Sequence, residues 1–328
     1  MDRALYGPGG FFVAGAGPAA HFRTSVHASP IFASALLGLL TQVDAALGHP
    51  SRLDVVDVGA GRGELLRTLA HAMEGSARGP LADRVRLVAV EMAPRPDDLP
   101  GGIEWAHEIP NGITGLLVAT EWLDNVPLDV AVRTRVGWRY LLVDPATGQE
   151  TVGDPVDTAD AGWLDRWWPD SSPIDALAEI GRPRDEAWAD AVGRINRGLA
   201  LAVDYGHLTA GRPVDGTLAG YRDGRQVPPL PDGSRDVTAH VAMDSVASAG
   251  GRVARCPYAL VSQREALRAL GADGGRPPLS LATRDPAGYL RALAAASAVA
   301  ELTDPAGLGG HWWLRQPVGV DPAAFMAR

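Results

Sequence analysis

The chain of 328 residues contains no lysine, so all 30 of its cationic side chains are arginines. It therefore lacks the phosphate-binding lysine of a Walker-type loop, the amine of a Schiff-base enzyme and the lysine of a protein kinase. Its one cysteine, Cys256, permits no internal disulfide and no thiolate zinc cluster. We accordingly predict no metal site. The scarcity of cysteine also favours a reducing compartment, and we predict that the protein is cytoplasmic.

Cations are also in the minority, since 39 acidic residues give a net charge of -9. Nucleic-acid binding without sequence preference depends on cationic faces, so we expect a protein or small-molecule partner and no nucleic acid. The apolar stretches are interrupted by polar residues such as Gln42 and Arg291, and the first residues lack the basic-then-apolar pattern of a signal peptide. We predict no membrane span.

Short apolar runs alternate with segments of helical periodicity, which is typical of a parallel α/β sheet. The predicted strands cover residues 52–58, 85–91, 115–120 and 199–203, and the predicted helices cover residues 30–47, 64–73 and 187–198. These patterns predict a Rossmann-like α/β fold with helices on both faces of the sheet.

The same patterns divide the chain into an N-terminal lead-in with one helix (1–50), a core (51–128 and 187–328) and an insertion (129–186). The insertion is expected to begin with a hairpin of residues 131–135 and 138–143 and to continue as an irregular stretch. Within the core we expect a long loop over residues 207–240, rich in glycine and proline.

Three glycines directly follow the first predicted strand, where Asp57 precedes Gly59, Gly61 and Gly63. Glycine allows backbone to approach a ligand closely, and the next helix points its free N–H groups at that ligand. A dinucleotide fingerprint has the spacing G-x-G-x-x-G and an acidic residue about 20 positions on. Here the spacing is G-x-G-x-G and Glu91 follows Gly59 by 32 positions, which disfavours a nicotinamide-dependent oxidoreductase.

The two carboxylates beside this loop match the polar parts of S-adenosylmethionine. Glu91 offers two acceptor oxygens to ribose hydroxyls, and Asp57 can face the cationic amino group of the methionine moiety. The predicted cofactor residues are Asp57, Gly59, Ala60, Gly61, Gly63 and Glu91. The alternatives are an ordinary strand-to-helix turn for the glycines and a solvated strand-end carboxylate for Glu91.

Five further segments carry a family resemblance: DVGAGRGEL at 57–65, TEWLDNVP at 120–127, VDYG at 203–206, GTL at 216–218 and DVTAHV at 236–241. Together they resemble the motifs of the MidA family of methyltransferases, which is related to a mitochondrial complex I assembly factor that methylates protein arginine. A looser match, HFRTS at 21–25, implies that Thr24 lies beside the cofactor. The resemblance implies a class I S-adenosylmethionine-dependent methyltransferase sheet and a protein substrate such as a respiratory-complex subunit.

An arginine acceptor would be protonated at neutral pH, and carboxylates are the natural groups to orient its guanidinium. Glu121 and Asp124 follow the carboxyl end of a predicted strand, Asp204 ends another, and His240 can act as a base or hold a loop. These four are the candidate catalytic residues. Helix-capping roles for Glu121 and Asp124 and a turn role for Asp204 remain open, as does a non-catalytic assembly factor that binds a partner through residues 207–235.

Overall fold

The computed structural model describes residues 1–14, 24–74, 79–169, 171–272 and 274–326. Residues 21–23 of the N-terminal HFRTS segment lie outside this part, whereas Thr24 and Ser25 lie within it.

The strands, in chain order, are β1 (Leu53–Val58), β2 (Val85–Val90), β3 (Ile103–Ala106), β4 (Ile113–Thr120), β5 (Asp129–Thr134), β6 (Gly137–Val143), β7 (Glu150–Pro155), β8 (Leu177–Ile180), β9 (Ile195–Asp204), β10 (Gly206–His207), β11 (Ala219–Arg222), β12 (Arg225–Val227), β13 (Asp236–Thr238), β14 (Val241–Ala242), β15 (Ala259–Ser262) and β16 (Trp312–Val318).

The α-helices are α1 (Asp2–Leu5), α2 (Phe11–Ala14), α3 (Ser25–Ala28), α4 (Pro30–Ala46), α5 (Glu64–Glu74), α6 (Gly79–Ala82), α7 (Thr158–Trp167), α8 (Arg182–Gly193), α9 (Met243–Ala254), α10 (Gln263–Ala269), α11 (Leu279–Arg284), α12 (Pro286–Leu302) and α13 (Ala323–Met326).

The central sheet has the order β15-β16-β9-β4-β1-β2-β3. Strands β3, β2, β1, β4 and β9 run parallel, β16 is antiparallel to β9, and β15 is antiparallel to β16. Successive side chains of a strand point to opposite faces, so two separate cores form. Val55 packs with α4 and α5, whereas Val56 packs on the other face with Trp188 of α8 and Val246 of α9. The expected α/β sheet with helices on both faces is confirmed.

Residues 129–180 leave this sheet and form a second, antiparallel sheet of order β7-β6-β5-β8. Its β5–β6 hairpin agrees with the sequence. The irregular stretch expected after it is wrong, because that stretch contains β7, α7 and β8. The Asp157 side chain caps α7 by accepting the Asp160 N–H, and Trp163 and Leu164 bury the inner face of the helix. Trp163, Leu164 and Trp167 have the spacing of one helix face, but the pattern covers barely more than one turn and is too short to predict the helix.

The segment 207–240 is not a bare loop, since β11 pairs with both β12 and β13. The N-terminal lead-in also contains the short helices α1 and α2, whose Leu5 and Phe11 pack against Val237 of β13 in a small core. Within the described ranges, no helix is both long and apolar enough to cross a membrane. The parallel strands all end at one edge of the central sheet, where the candidate residues converge.

Candidate functional site

A cavity of about 510 Å³ lies at the carboxyl ends of β1, β2, β3 and β4. Ligand pockets commonly have volumes of roughly 300–1,000 Å³, so this one can hold a nucleoside-sized molecule. The predicted residues that line it are Thr24, Asp57, Gly59, Ala60, Gly61, Glu91, Glu121 and Asp124. Of the remaining candidates, Gly63, Asp204 and His240 are not among the described residues of the lining.

The glycine loop is shaped by left-handed backbone. Gly59, Gly61 and Gly63 have φ of +71°, +58° and +81°, a region that glycine enters without steric cost. A Cβ on Gly63 would also lie 2.7 Å from Leu99 Cδ1. Gly63 therefore packs closely against Leu99, whereas Gly59 and Gly61 line the cavity.

Glu91 is fixed at the cavity by backbone hydrogen bonds. Its Oε2 accepts the Gly61 N–H at 3.0 Å, and its Oε1 accepts the N–H groups of Met92 at 2.7 Å and Ala93 at 3.2 Å. Carboxylate oxygens have more than one acceptor direction each, so a bound hydroxyl can still be accepted. The strand-end carboxylate thus joins β2 to the glycine loop. We call Glu91, Asp57 and the glycine loop the cofactor end of the cavity.

The Asp57 carboxyl is buried at 2% exposure and lines the cavity. Within the described part of the chain, no hydrogen bond reaches it. Burial raises the pKa of Asp57 well above its usual value, and the charges of Glu64 and Glu91 raise it further. A cationic group bound beside Asp57 would relieve this penalty. Thr24 also lines the cavity, with its hydroxyl 2.8 Å from His27 Nδ1.

Glu121 has left-handed backbone, with φ of +51°, although it is not glycine. Such a conformation costs roughly 1–3 kcal/mol and persists only when its surroundings hold it. The Glu121 N–H donates to the Val203 carbonyl at 2.8 Å, and its Oε1 accepts the Ser25 N–H at 3.2 Å. Burial raises the pKa of Glu121 to about 8, helped by the charge of Asp124. Glu121, held in this conformation, lines the cavity.

Asp124 lies in a 3-10 turn, Leu123–Asn125, and is 3% exposed. Its Oδ2 accepts hydrogen bonds from the hydroxyls of Tyr205 and Thr238, the latter at 2.8 Å. Its Oδ1 is buried and has no partner among the described residues. Burial raises the pKa of Asp124, against the effect of these two donors. Asp124 lines the cavity, and a buried carboxylate oxygen without a partner has an unmet need for a hydrogen-bond donor.

Asp204 is turned toward the backbone of the same 3-10 turn. Its Oδ2 accepts the N–H groups of Leu123 at 3.0 Å and Asp124 at 3.3 Å, and its Oδ1 accepts its neighbour's N–H at 3.0 Å. Asp204 therefore positions Asp124 in this structure. His240 is exposed and its ring contacts the edge of Tyr205, with centroids 5.2 Å apart. Its backbone N–H donates to the Thr217 hydroxyl at 2.8 Å.

Three residues that the sequence did not single out complete the site. Asp236, 1% exposed, accepts the Asn125 side-chain N–H at 2.7 Å through Oδ1, and its buried Oδ2 has no partner in the described chain. Burial raises the pKa of Asp236 to about 8. Tyr6 lines the cavity and donates to the Asn125 carbonyl at 3.3 Å. Asp236 opens the DVTAHV motif, but Tyr6 lies in a segment with no recognisable pattern.

The third of these is Arg184 of α8, a fully buried cation whose hydrogen bonds, among the described residues, all go to backbone carbonyls. Its guanidinium donates to the carbonyls of Asp124 at 2.6 Å, Val126 at 3.1 Å, and Ala239 and His240 at 2.9 Å. Its charge interacts with the carboxyls of Asp124 and Asp204, and Asp124 interacts in turn with those of Glu121 and Asp236. We call Glu121 and Asp124, which line the cavity, together with Asp236, which is not among its described lining residues, the acceptor end; it carries an excess of acidic groups.

No group of metal-ligating side chains large enough to hold an ion occurs in the described part of the chain. The sheet order, the glycine loop and the strand-end Glu91 define the class of S-adenosylmethionine-dependent methyltransferases. The chain belongs to the family described as "Putative S-adenosyl-L-methionine-dependent methyltransferase", which it matches over residues 37–259.

Similar proteins include the mitochondrial protein arginine methyltransferase NDUFAF7 of Xenopus tropicalis, 26% identical over 291 residues, and that of Danio rerio, 27% identical over 318 residues. These matches cover 77% and 82% of this chain but 65% and 70% of the relatives, so the chain spans about two thirds of their length.

Two crystal structures of COG1565 superfamily proteins from Burkholderia thailandensis share the fold. One, bound to S-adenosyl-homocysteine, has a TM-score of 0.80 at 24% identity and covers 98% of this chain and 87% of that chain. The other has a TM-score of 0.79 at 25% identity and covers 100% and 88%. The cofactor of this methyltransferase is S-adenosylmethionine.

Proposed function

We propose that this methyltransferase methylates a guanidinium nitrogen of an arginine side chain in a protein. The observation that carries the proposal is the buried, unpaired Oδ1 of Asp124 at the acceptor end, where acidic groups outnumber the buried cation Arg184. A guanidinium would bring the missing positive charge and hydrogen-bond donors together. The arginine methyltransferase activity for which the NDUFAF7 relatives are named supports the same acceptor.

At the cofactor end, each predicted residue suits one part of S-adenosylmethionine. The unpaired Asp57 carboxyl suits the cationic amino group, and Glu91 suits the ribose hydroxyls. The left-handed glycines bring backbone close to the ligand, and Thr24 would flank it. When bound, the cofactor supplies an electrophilic methyl group on its sulfonium.

The acceptor end has two tasks, orientation and proton removal. Asp124, held by Tyr205 and Thr238, would accept guanidinium N–H groups through Oδ1 and align the reacting nitrogen. Methyl transfer forms a nitrogen–carbon bond and breaks the carbon–sulfur bond, whose electron pair remains on sulfur. The methylated nitrogen must then release one proton. Glu121 lines the cavity and would take that proton in its ionised form, which the positive charge of a bound guanidinium favours against the raised pKa of the empty site.

The test identifies the methylated amino acid and does not require a purified target protein. The enzyme is incubated with extract proteins and methyl-labelled S-adenosylmethionine, and the proteins are hydrolysed to amino acids. Labelled methylarginine that disappears with the Asp124→Asn variant is the expected result. Labelled methyllysine alone would overturn the arginine assignment, and because the chain has no lysine such label could not come from self-methylation.

Binding is measured in parallel by calorimetry with S-adenosylmethionine, S-adenosylhomocysteine and, as the rival cofactor, NADH. We expect the first two to bind and NADH not to bind. Cofactor binding without label in any amino acid would favour a non-catalytic assembly factor and contradict the proposed activity.

A further inference from the structure

Two aromatic rings of the N-terminal segment form part of the cavity wall. Tyr6 and Phe12 both line the cavity, and their rings are stacked with centroids 5.6 Å apart and an interplanar angle of 23°. Both are half-buried, so part of each ring is accessible from the cavity. We call this pair the aromatic wall.

The aromatic wall stands against the acceptor end. The Tyr6 hydroxyl donates to the carbonyl of Asn125, the residue after Asp124. Burial raises the pKa of Tyr6, and the charges of Asp124 and Asp236 are the next largest causes. Aromatic surface and carboxylates are thus presented to the same space.

Phe11 and Phe12 are neighbours in sequence, but only Phe11 is fully buried in the small core of the N-terminal segment. Phe11 is 3% exposed and fills the small core with Leu5 and Val237. Phe12 meets the ring of Phe11 at 79° with centroids 5.2 Å apart and lies at the margin of that core, where it lines the cavity. The small core would keep its centre without the Phe12 ring.

We propose that the aromatic wall is the stacking surface for the acceptor, so that a planar cation lies on the free ring face of the stacked Tyr6–Phe12 pair while Glu121 and Asp124 accept its N–H groups. This inference rests on the proposed function. A guanidinium is planar and weakly hydrated, so it can use aromatic contact and in-plane hydrogen bonds together, whereas an ammonium is compact and strongly hydrated. The wall would therefore select arginine over lysine.

The experiment titrates a short peptide with one arginine, glycine-flanked, into enzyme saturated with S-adenosylhomocysteine. Phe12→Leu and Tyr6→Leu should weaken peptide affinity by roughly 3- to 30-fold, the range expected for a lost cation–aromatic contact. Tyr6→Phe, which keeps the ring, should weaken it about 2-fold or less. S-adenosylhomocysteine affinity should not change in any of these variants.

Phe11→Leu is the matched control, because it removes a neighbouring ring of the same segment that faces the core. It should lower the melting temperature and leave peptide affinity unchanged. Equal weakening by Phe11→Leu and Phe12→Leu would show that the wall acts only through folding of the segment. A parallel loss of S-adenosylhomocysteine affinity would assign the wall to the cofactor.

Measurements on the wild-type enzyme distinguish a failure of the stacking surface from a failure of the proposed arginine methylation. Methylation of the arginine peptide together with unchanged affinity in Phe12→Leu and Tyr6→Leu would overturn the stacking surface alone. A wild-type enzyme that binds the arginine peptide and its lysine counterpart equally, and methylates no arginine, would overturn both.

Discussion

The cofactor end and the acceptor end of the cavity use the chain in different ways. At the cofactor end, left-handed glycines set the loop, and both oxygens of Glu91 accept backbone N–H groups. At the acceptor end, side chains dominate, and the oxygens Asp124 Oδ1 and Asp236 Oδ2 are buried without a partner in the described chain. The comparison teaches that the cofactor end is set mainly by backbone, with the Asp57 carboxyl left unpaired, whereas the acceptor end is set by side chains and leaves two buried carboxylate oxygens unpaired.

The largest expected effect is that of Asp124→Asn on the acceptor end. The amide oxygen can still accept from Tyr205 and Thr238, but the amide NH₂ would then replace Oδ1 and face the guanidinium donors. Loss of a charge-assisted hydrogen bond should lower kcat/KM for an arginine peptide by roughly 100-fold. Steady-state kinetics measures this, and calorimetry should find S-adenosylhomocysteine affinity within about 2-fold of wild type. Equal losses in both would make Asp124 structural.

Glu91→Gln tests the cofactor end, where we expect it to weaken cofactor binding. The amide retains one acceptor oxygen, so either the Gly61 contact or the Met92 and Ala93 contacts are lost along with the charge. We expect S-adenosylmethionine affinity to fall by about 10-fold with no change of fold, by calorimetry and circular dichroism. Glu104→Gln, an exposed carboxylate on β3 that pairs with Arg86, is the control. Unchanged cofactor affinity in Glu91→Gln would contradict its assignment to the ribose.

Asp204→Asn tests whether Asp204 acts by positioning Asp124 and does not itself contact the methyl acceptor. Its oxygens accept N–H groups of the turn that carries Asp124, and one acceptor oxygen survives in the amide. We expect a drop of roughly 3- to 10-fold in kcat with KM for cofactor unchanged, since a net hydrogen bond contributes about 1 kcal/mol. A loss as large as that of Asp124→Asn would instead indicate that Asp204 itself reaches the acceptor.

The last expected effect is on the pH dependence of stability and does not concern activity. The pKa of Asp236 is about 8 in the folded chain against an ordinary 3.8, so its ionisation opposes folding. The free energy of unfolding should fall as pH rises between these values, and Asp236→Asn should reduce the slope. Asp44 behaves oppositely, because its hydrogen bonds with Arg84 lower its pKa from 3.8. Its stabilising contribution is present above that ordinary value and is lost as pH falls through its lowered folded pKa.

Melting temperatures from about pH 2 to 9 measure both slopes, with Asp44→Asn as the control that alters only the acid limb. A saturating arginine peptide should flatten the Asp236-dependent slope, because a bound cation favours the ionised carboxyls. An Asp236→Asn variant with the wild-type pH profile would show that this carboxyl does not titrate in the folded state.

The cofactor end could be predicted from the sequence because it is local. Strand β1, the glycine loop, α5 and the end of β2 follow one another, so spacing alone located Asp57 and Glu91. The central strands could be predicted for a similar reason, since fully buried parallel strands are continuous apolar runs. Strand β3 was missed because its pattern is broken by Glu104, which the edge position leaves exposed.

The acceptor end could be predicted only in part because it is assembled from distant segments. Asp124 contacts Tyr205, Thr238 and Arg184, and no pattern within one segment records those approaches. Tyr6 reaches Asn125 across 119 positions of sequence. Asp204 was placed at the correct edge, but which way its carboxyl points depends on the 3-10 turn beside it.

The antiparallel sheet of β5 to β8 is formed by the stretch of chain between Asn125 and Arg184. Both of these residues lie next to Asp124, so the stretch begins and ends beside the acceptor end. The register of β1 with β2 and β4 does not involve it. Changes of length or sequence within residues 129–180 can therefore leave the strands that carry the glycine loop in register.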